Sequence, residues 1–196
     1  MKAAKRRVIG RSSTARGGLP ATWLAGTKVR LRPIEPQDVK MLQRWLNEPT
    51  AQEWLGALLP QSQREVERWA ARISTDPGRP SFIIQTARGA DIGLALLLVK
   101  DAQAELGIAI HEPRFWGQGL GEEAVRLLVD GAFRVLPLQR IELRVLPYNE
   151  RAIRAYEKAG FSREGLLRKA AYHMGSPRDQ LVMSILHDEW LVRRDS

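Results

Sequence analysis

Three glycines occupy alternate positions in the run Phe115-Trp-Gly117-Gln-Gly119-Leu-Gly121-Glu-Glu-Ala124. Ahead of them lies Glu105-Leu-Gly-Ile-Ala-Ile-His111, which is strand-sized, and behind them an apolar stripe at helical spacing. A strand that runs into a glycine-rich turn and leaves it as a helix is suited to holding a bulky anion. Glycine lets the backbone approach closely, and the helix start offers N–H groups without intrahelical partners and a partial positive charge. A diphosphate is the usual occupant of such a nest.

By itself the turn leaves several chemistries open. Gly119-Leu-Gly-Glu-Glu-Ala124 matches the G-x-G-x-x-A form of a dinucleotide fingerprint. That reading also wants an acidic residue near the end of the next strand. Here the strand closes on Val145-Leu-Pro147, and Glu142 falls too early. No Gly-Lys-Ser/Thr follows the turn, so it is not a phosphate loop of the Walker type. A glycine cluster needed only for close packing remains the structural alternative.

The elements that position this turn follow from periodicity. Lys28 to Pro33 alternates polar and apolar residues, with Val29 and Leu31 on one face, and predicts a half-buried strand. Pro36 opens a helix with Val39, Leu42, Trp45 and Leu46 on one side, ending near Pro49. Ser62-Gln-Arg-Glu65 is a capping-box pattern, followed by Val66, Trp69, Ala70 and Ile73 at helical spacing. Three strands are predicted at 81–86, 92–100 and 104–111, with a tight turn at Arg88-Gly-Ala90. A helix from Gly119 to Leu136 and a strand at 139–146 come next. Asn149 is placed to N-cap a helix that stops at Gly160, and strands near 161–170 and 179–187 close the domain. The order β-α-α-β-β-β-α-β-α-β-β, with one βαβ crossover, predicts a mixed α/β domain around a mostly antiparallel sheet.

Composition narrows the chemistry. The 196 residues contain no cysteine, which excludes a disulfide framework, a thiolate nucleophile and a zinc–sulfur site. No stretch approaches the roughly 20 apolar residues of a membrane helix, and the basic N-terminus has no apolar segment behind it. A cytoplasmic location without membrane contact is therefore expected. The net charge of +9 is concentrated at one end: Lys2, Lys5, Arg6, Arg7, Arg11 and Arg16 lie in residues 1–26 without an acidic partner. This segment reads as a flexible extension, either simply solvated or in weak contact with a polyanion such as ribosomal RNA.

About thirty residues after the glycine turn comes Asn149-Glu-Arg-Ala-Ile-Arg-Ala-Tyr156-Glu-Lys-Ala-Gly160-Phe161. Together with Trp116-Gly117-Gln118-Gly119-Leu120-Gly121 it resembles the GNAT acetyltransferase superfamily. That family carries Gln/Arg-x-x-Gly-x-Gly/Ala at the turn, and Trp116 departs from its first position. The Trp-Gly-x-Gly form is similar to the branch that acetylates N-termini of ribosomal proteins and to its polyamine- and antibiotic-modifying relatives. Gly165-Leu-Leu-Arg168, Arg178-Asp-Gln-Leu-Val-Met-Ser184, Val29-Arg-Leu-Arg-Pro33 and Trp45-Leu-Asn-Glu-Pro49 resemble the same branch. The likeness covers residues 27–190 and leaves 1–26 as an extension and 191–196 as a tail.

The resemblance implies a GNAT fold with a β-α-β acetyl-CoA-binding core, and direct transfer of acetyl from acetyl-CoA to a primary amine within a ternary complex. No metal is expected. The diphosphate is expected on residues 117–121, namely Gly117, Gln118, Gly119, Leu120 and Gly121, with Trp116 at the loop's edge. The pantetheine arm is expected along Ile108, Ala109 and Ile110, with Asn149 in contact. Tyr156 is implied as the general acid, although Ala152, Ile153 and Tyr156 share one helix face and by spacing alone suit a core. Glu105 is the first choice of base, with His111 and Glu112 as alternatives, each of which could equally be a solvated strand-end group. Trp45, Glu53 and Trp54 are candidates for meeting a cationic amine, and Trp45 also suits core packing. The acceptor is expected to be a protein N-terminal α-amine, with a small amine as the alternative and a CoA-binding sensor without turnover as a further one. A homodimer is allowed, with no interface identified.

Overall fold

The computed structural model describes residues 24–48, 59–173 and 175–194. Seven strands form one sheet: β1 (Val29–Pro33), β2 (Ser81–Thr86), β3 (Asp91–Lys100), β4 (Gln103–Ile110), β5 (Arg140–Val145), β6 (Ser162–His173) and β7 (Ser176–Leu186). Their spatial order is β1-β2-β3-β4-β5-β7-β6. Every neighbouring pair is antiparallel except β4 and β5. The helices are α1 (Val39–Asn47), α2 (Gln63–Ile73), α3 (Leu120–Val135), α4 (Glu150–Ala159) and α5 (His187–Arg194).

The sheet separates two apolar layers. On one face α3, α4 and α5 pack over Ile84, Leu97, Leu106, Ile141 and Met183. On the other, α1 and α2 bring Leu42, Trp45, Val66 and Ile73 against Ile83 and Leu94. Local signals start and stop these helices as anticipated. Ser62 Oγ accepts the Glu65 N–H while the Glu65 carboxylate accepts the Ser62 N–H. Asn149 Oδ1 accepts the Ala152 N–H, and Gly160 ends α4 in the left-handed region at φ 107°.

Three boundaries differ from the sequence expectation. Leu24, placed there in the extension, is buried in the α3-side core, and Ala25 bridges to Arg30. The last strand ends at Leu186, and residues 187–194 form α5, whose Trp190 packs on Phe133 and donates its indole N–H to Asp130. β6 continues to His173 because it pairs with β7 through an interruption between Leu167 and Ala171.

The feature that positions the site is a local parting of the sheet. β4 and β5 are paired only over Gln103–Glu105 against Arg140–Glu142. Beyond that point the two parallel strands diverge and leave a gap through the sheet. On the other edge β4 stays tight against β3. A Cβ on Gly93 would stand 2.1 Å from the carbonyl oxygen of Ala109, so only glycine fits there.

Candidate active site

Downstream of β4 the chain makes a single 3-10 turn at Pro113–Phe115 and reaches the glycines. Gly117 and Gly119 adopt φ of 74° and 75°, and Gly119 is the N-cap of α3. Both are left-handed conformations that a side chain would strain. Several groups fix the turn. The Trp116 indole donates to Ile110 O at 2.8 Å, and Gln118 Nε2 donates to Arg114 O at 2.7 Å. Lys28 Nζ donates to Gln118 O at 3.3 Å. The Arg151 guanidinium lies 4.0 Å above the Trp116 ring. Glu123, in the first turn of α3, does not oppose an anion there, because its carboxylate accepts the N–H groups of Thr27, Lys28 and Val29.

The turn opens on a cleft of about 600 Å³ that runs along the parted strands. Ile108, Ala109 and Ile110 all line it. Their peptide groups do not all face the gap. His111 donates its N–H to Ile92 O. Counting from that bond, the alternation of an antiparallel ladder turns Ala109 toward β3, and Ile108 and Ile110 toward the gap. The expectation that Ala109 offers free backbone groups is corrected on this ground. Since Ile110 O already accepts from Trp116, the groups left facing the gap are the N–H and C=O of Ile108 and the N–H of Ile110.

On the α4 wall, Tyr156 is half-buried, 6.1 Å from the Phe161 ring, and its hydroxyl has no hydrogen-bond partner among the described residues. Burial pushes its pKa up to about 12. Asn149 lines the cleft while capping α4, so both of its expected roles are compatible. Arg151, Arg154 and Lys158 also reach the cleft from α4. Sequence reasoning missed these cations, although their i, i+3, i+7 spacing after the N-cap was a usable signal. It also missed Lys28, for which no local signal existed.

At the floor, Glu105 lines the cleft with its side chain 40% exposed, 3.9 Å from Arg144 Nε. His111 is 4% exposed, and its ring lies parallel to the Trp45 indole, with centroids 5.0 Å apart and planes 4° apart. Burial lowers its pKa to about 4, against a smaller opposite pull from Glu112. Glu112 accepts from Arg44 and, at 3.2 Å, from the Trp45 indole N–H, so it is held in structural bonds and is not placed as a free base. Trp45 is fully buried between these partners and offers no face to an acceptor; its place on the apolar stripe of α1 decided the matter. Gln118 does not line the cleft, since its side chain turns back to Arg114. Glu53 and Trp54 lie outside the described residues.

Left-handed glycines, open N–H groups at the start of α3 and flanking cations fit a diphosphate, and a gap edged by unpaired peptide groups fits an amide-bearing arm. A family model described as an acetyltransferase (GNAT) domain matches residues 28–162. The chain is 29% identical to the spermidine N(1)-acetyltransferase of Escherichia coli (strain K12) over 167 residues, 84% of this chain and 89% of that protein. It is 30% identical to the aminoglycoside N(6')-acetyltransferase type 1 of Klebsiella pneumoniae over 152 residues, 70% of this chain and 75% of that one. The crystal structure of spermidine N-acetyltransferase from Vibrio cholerae, in complex with CoA and spermine, superposes with a TM-score of 0.78 at 26% identity, covering 85% of this chain and 99% of that chain. The chain belongs to the GNAT family and is an acetyl-CoA-dependent N-acetyltransferase.

Proposed function

We propose that this enzyme acetylates a small cationic amine. The observation that carries the reading is that the spermidine and aminoglycoside enzymes match it over most of its length. It replaces the protein N-terminus as the preferred acceptor, an expectation that rested on the Trp-Gly-x-Gly turn and its flanking motifs. Glu105, a carboxylate in the cleft that is half open to solvent and 3.9 Å from Arg144 Nε, is the group that would meet the ammonium of either kind of acceptor.

When bound, acetyl-CoA supplies an activated thioester. In this reading the N–H groups at the start of α3, with Lys28 and Arg151 beside them, hold the diphosphate. The gap-facing Ile108 and Ile110 peptides orient the arm, and an N–H there can stabilise charge developing on the acyl oxygen. In this reading Tyr156, uncommitted by any hydrogen bond among the described residues, gives its proton to the departing sulfur. Glu105 attracts the ammonium and takes its proton, directly or through water. An amine with a reference pKa near 10 must lose that proton before it can attack.

The test is acetyl-CoA binding by calorimetry, followed in the same sample by thiol release with spermidine, kanamycin and ribosomal N-terminal peptides. Release with a small amine and little with the peptides is expected. Release with peptides alone would return the acceptor to the protein N-terminus, and binding with no release from any acceptor would make the chain a sensor.

A further inference from the structure

His111 is a buried titratable group on the cleft wall to which the proposed chemistry gives no role. Its position along β4 is informative. Alternate residues of a strand share a face, so Glu105, Gly107, Ala109 and His111 point the same way. His111 packs on Trp45 of α1, which makes this the α1–α2 side of the sheet, opposite the layer that holds α3 and α4. Cofactor groups and acceptor groups therefore approach the gap from opposite faces. Between Glu105 and His111, β4 itself carries only a hydrogen and a methyl group on this face, and the Leu96 side chain of β3 leans over Gly107. At about 3.4 Å per residue this makes a trough about 20 Å long, with a carboxylate at one end and an imidazole at the other.

The chemistry of the imidazole end follows from its surroundings. Nδ1 is closed to solvent and has no hydrogen-bond partner among the described residues. Nε2 is not closed off in this way and also lacks a partner among them, so it is the nitrogen that opens on the cleft. An orphaned buried N–H is rarer and costlier than an orphaned acceptor, so the ring carries its hydrogen on Nε2 and its lone pair on Nδ1. The ring is also held in place: the parallel indole backs it, and Glu112 fixes the indole N–H. The trough thus ends in a rigid, uncharged N–H donor.

We infer that His111 is a specificity-determining residue that donates Nε2–H to an oxygen of the acceptor, so that the enzyme selects an amine bearing a hydroxyl, ether or carbonyl oxygen over a bare polyamine. The inference rests on the small-amine reading above and sharpens it. A polyamine has only cationic donors to offer along its length. Laid in the trough with an end nitrogen toward His111, it brings the imidazole N–H against another donor, which disfavours that placement as strongly as a matched oxygen is favoured.

The experiment compares kanamycin, which carries hydroxyl and ether oxygens, with spermidine, which has none. The wild-type enzyme is expected to prefer kanamycin in kcat/KM. His111→Phe keeps the stack on Trp45 and removes the donor. It should raise KM for kanamycin about tenfold, the cost of one buried hydrogen bond, lower KM for spermidine by a similar factor, and leave the acetyl-CoA Kd unchanged. His111→Gln restores an N–H at similar reach and should restore the preference. Nitrogen NMR of the unliganded wild-type protein at pH 7 should find the Nε2–H tautomer, a readout independent of turnover and of how the variants fold. Equal losses on both acceptors, weakened acetyl-CoA binding in the Phe variant, a wild-type preference for spermidine, or an Nδ1–H tautomer would each overturn the assignment. Acetyl-CoA binding without acetylation of either amine would instead sink the small-amine reading, and this assignment with it.

Discussion

At the residue scale, the two titratable groups most displaced from ordinary behaviour in the cleft are Tyr156 and His111, and burial moves them in opposite directions for one reason: it disfavours whichever form is charged. With its pKa near 12, Tyr156 remains a neutral phenol throughout the working range. Ionisation of Tyr156 therefore produces no fall in kcat on the alkaline side below about pH 11. Tyr156→Phe should lower kcat about 100-fold, the usual share of a positioned acid, and leave the acetyl-CoA Kd and the shape of the pH profile unchanged. Steady-state kinetics from pH 6 to 10 check both points, and equal turnover in the two proteins would remove Tyr156 from the acid role. For His111 the folded value of about 4 lies below the reference value of 6.5. The unfolded chain binds the proton first, so the stability contributed by a neutral His111 is fully present above about pH 6.5 and is lost as pH falls toward 4. The loss is about 3 kcal/mol at most from this group. Urea midpoints measured at pH 7 and pH 4.5 should fall less in His111→Phe than in the wild type.

At the element scale, the glycine turn and α3 act as one unit, and its two left-handed residues can be separated by experiment. A Cβ on Gly117 would meet nothing within 4 Å, whereas one on Gly119 would stand 3.1 Å from Lys28 Nζ. Either alanine costs about 1 kcal/mol of backbone strain. Only Gly119→Ala also displaces the lysine, so it alone should weaken acetyl-CoA binding markedly, in a salt-dependent way, while both lower Tm by similar amounts. Calorimetry at low and high salt distinguishes them. This turn was legible in the sequence because everything that defines it is local, and the same holds for the Ser62 capping box and for Asn149 and Gly160 at the ends of α4. What was not legible depends on long-range partners. Lys28 meets Gln118 across 90 positions, and Arg44 meets Glu112 across 68, so neither leaves a trace in spacing. For Trp45 the spacing suits both an acceptor contact and the core, and the Glu112 that engages its indole from 67 positions away adds nothing to that spacing. The continuation of β6 to His173 escaped notice because almost all of that strand is exposed on both faces, which erases the alternation that marks a half-buried strand.

At the scale of the whole molecule, both ends of the described chain converge on α3. From the N-terminal side, Leu24 enters the same core as α3, and Glu123 gathers the N–H groups of Thr27, Lys28 and Val29 at 2.8, 2.8 and 3.1 Å. From the C-terminal side, α5 sets Trp190 against Phe133, at a centroid distance of 5.5 Å, with its indole N–H on Asp130. The helix whose start frames the diphosphate nest is thereby clamped at its first turn and along its second half. α5 has only eight residues, too few to be stable alone, so it exists because one buried indole anchors it. Trp190→Ala would remove a nearly fully buried aromatic and leave the Asp130 carboxylate without that donor. A cost of about 3–5 kcal/mol is expected, a large part of the stability of a domain this size. The loss should be global, because Trp190 touches the α3 layer and not the cleft. The variant should therefore unfold at a clearly lower urea concentration, yet keep the wild-type kcat and acetyl-CoA Kd when assayed cold and well below that midpoint. Saturating acetyl-CoA binds the folded state alone and should restore part of the lost midpoint. An unchanged midpoint would mean that α5 is only loosely docked; a normal midpoint with weakened acetyl-CoA binding would mean that the clamp on α3 tunes the nest without stabilising the fold.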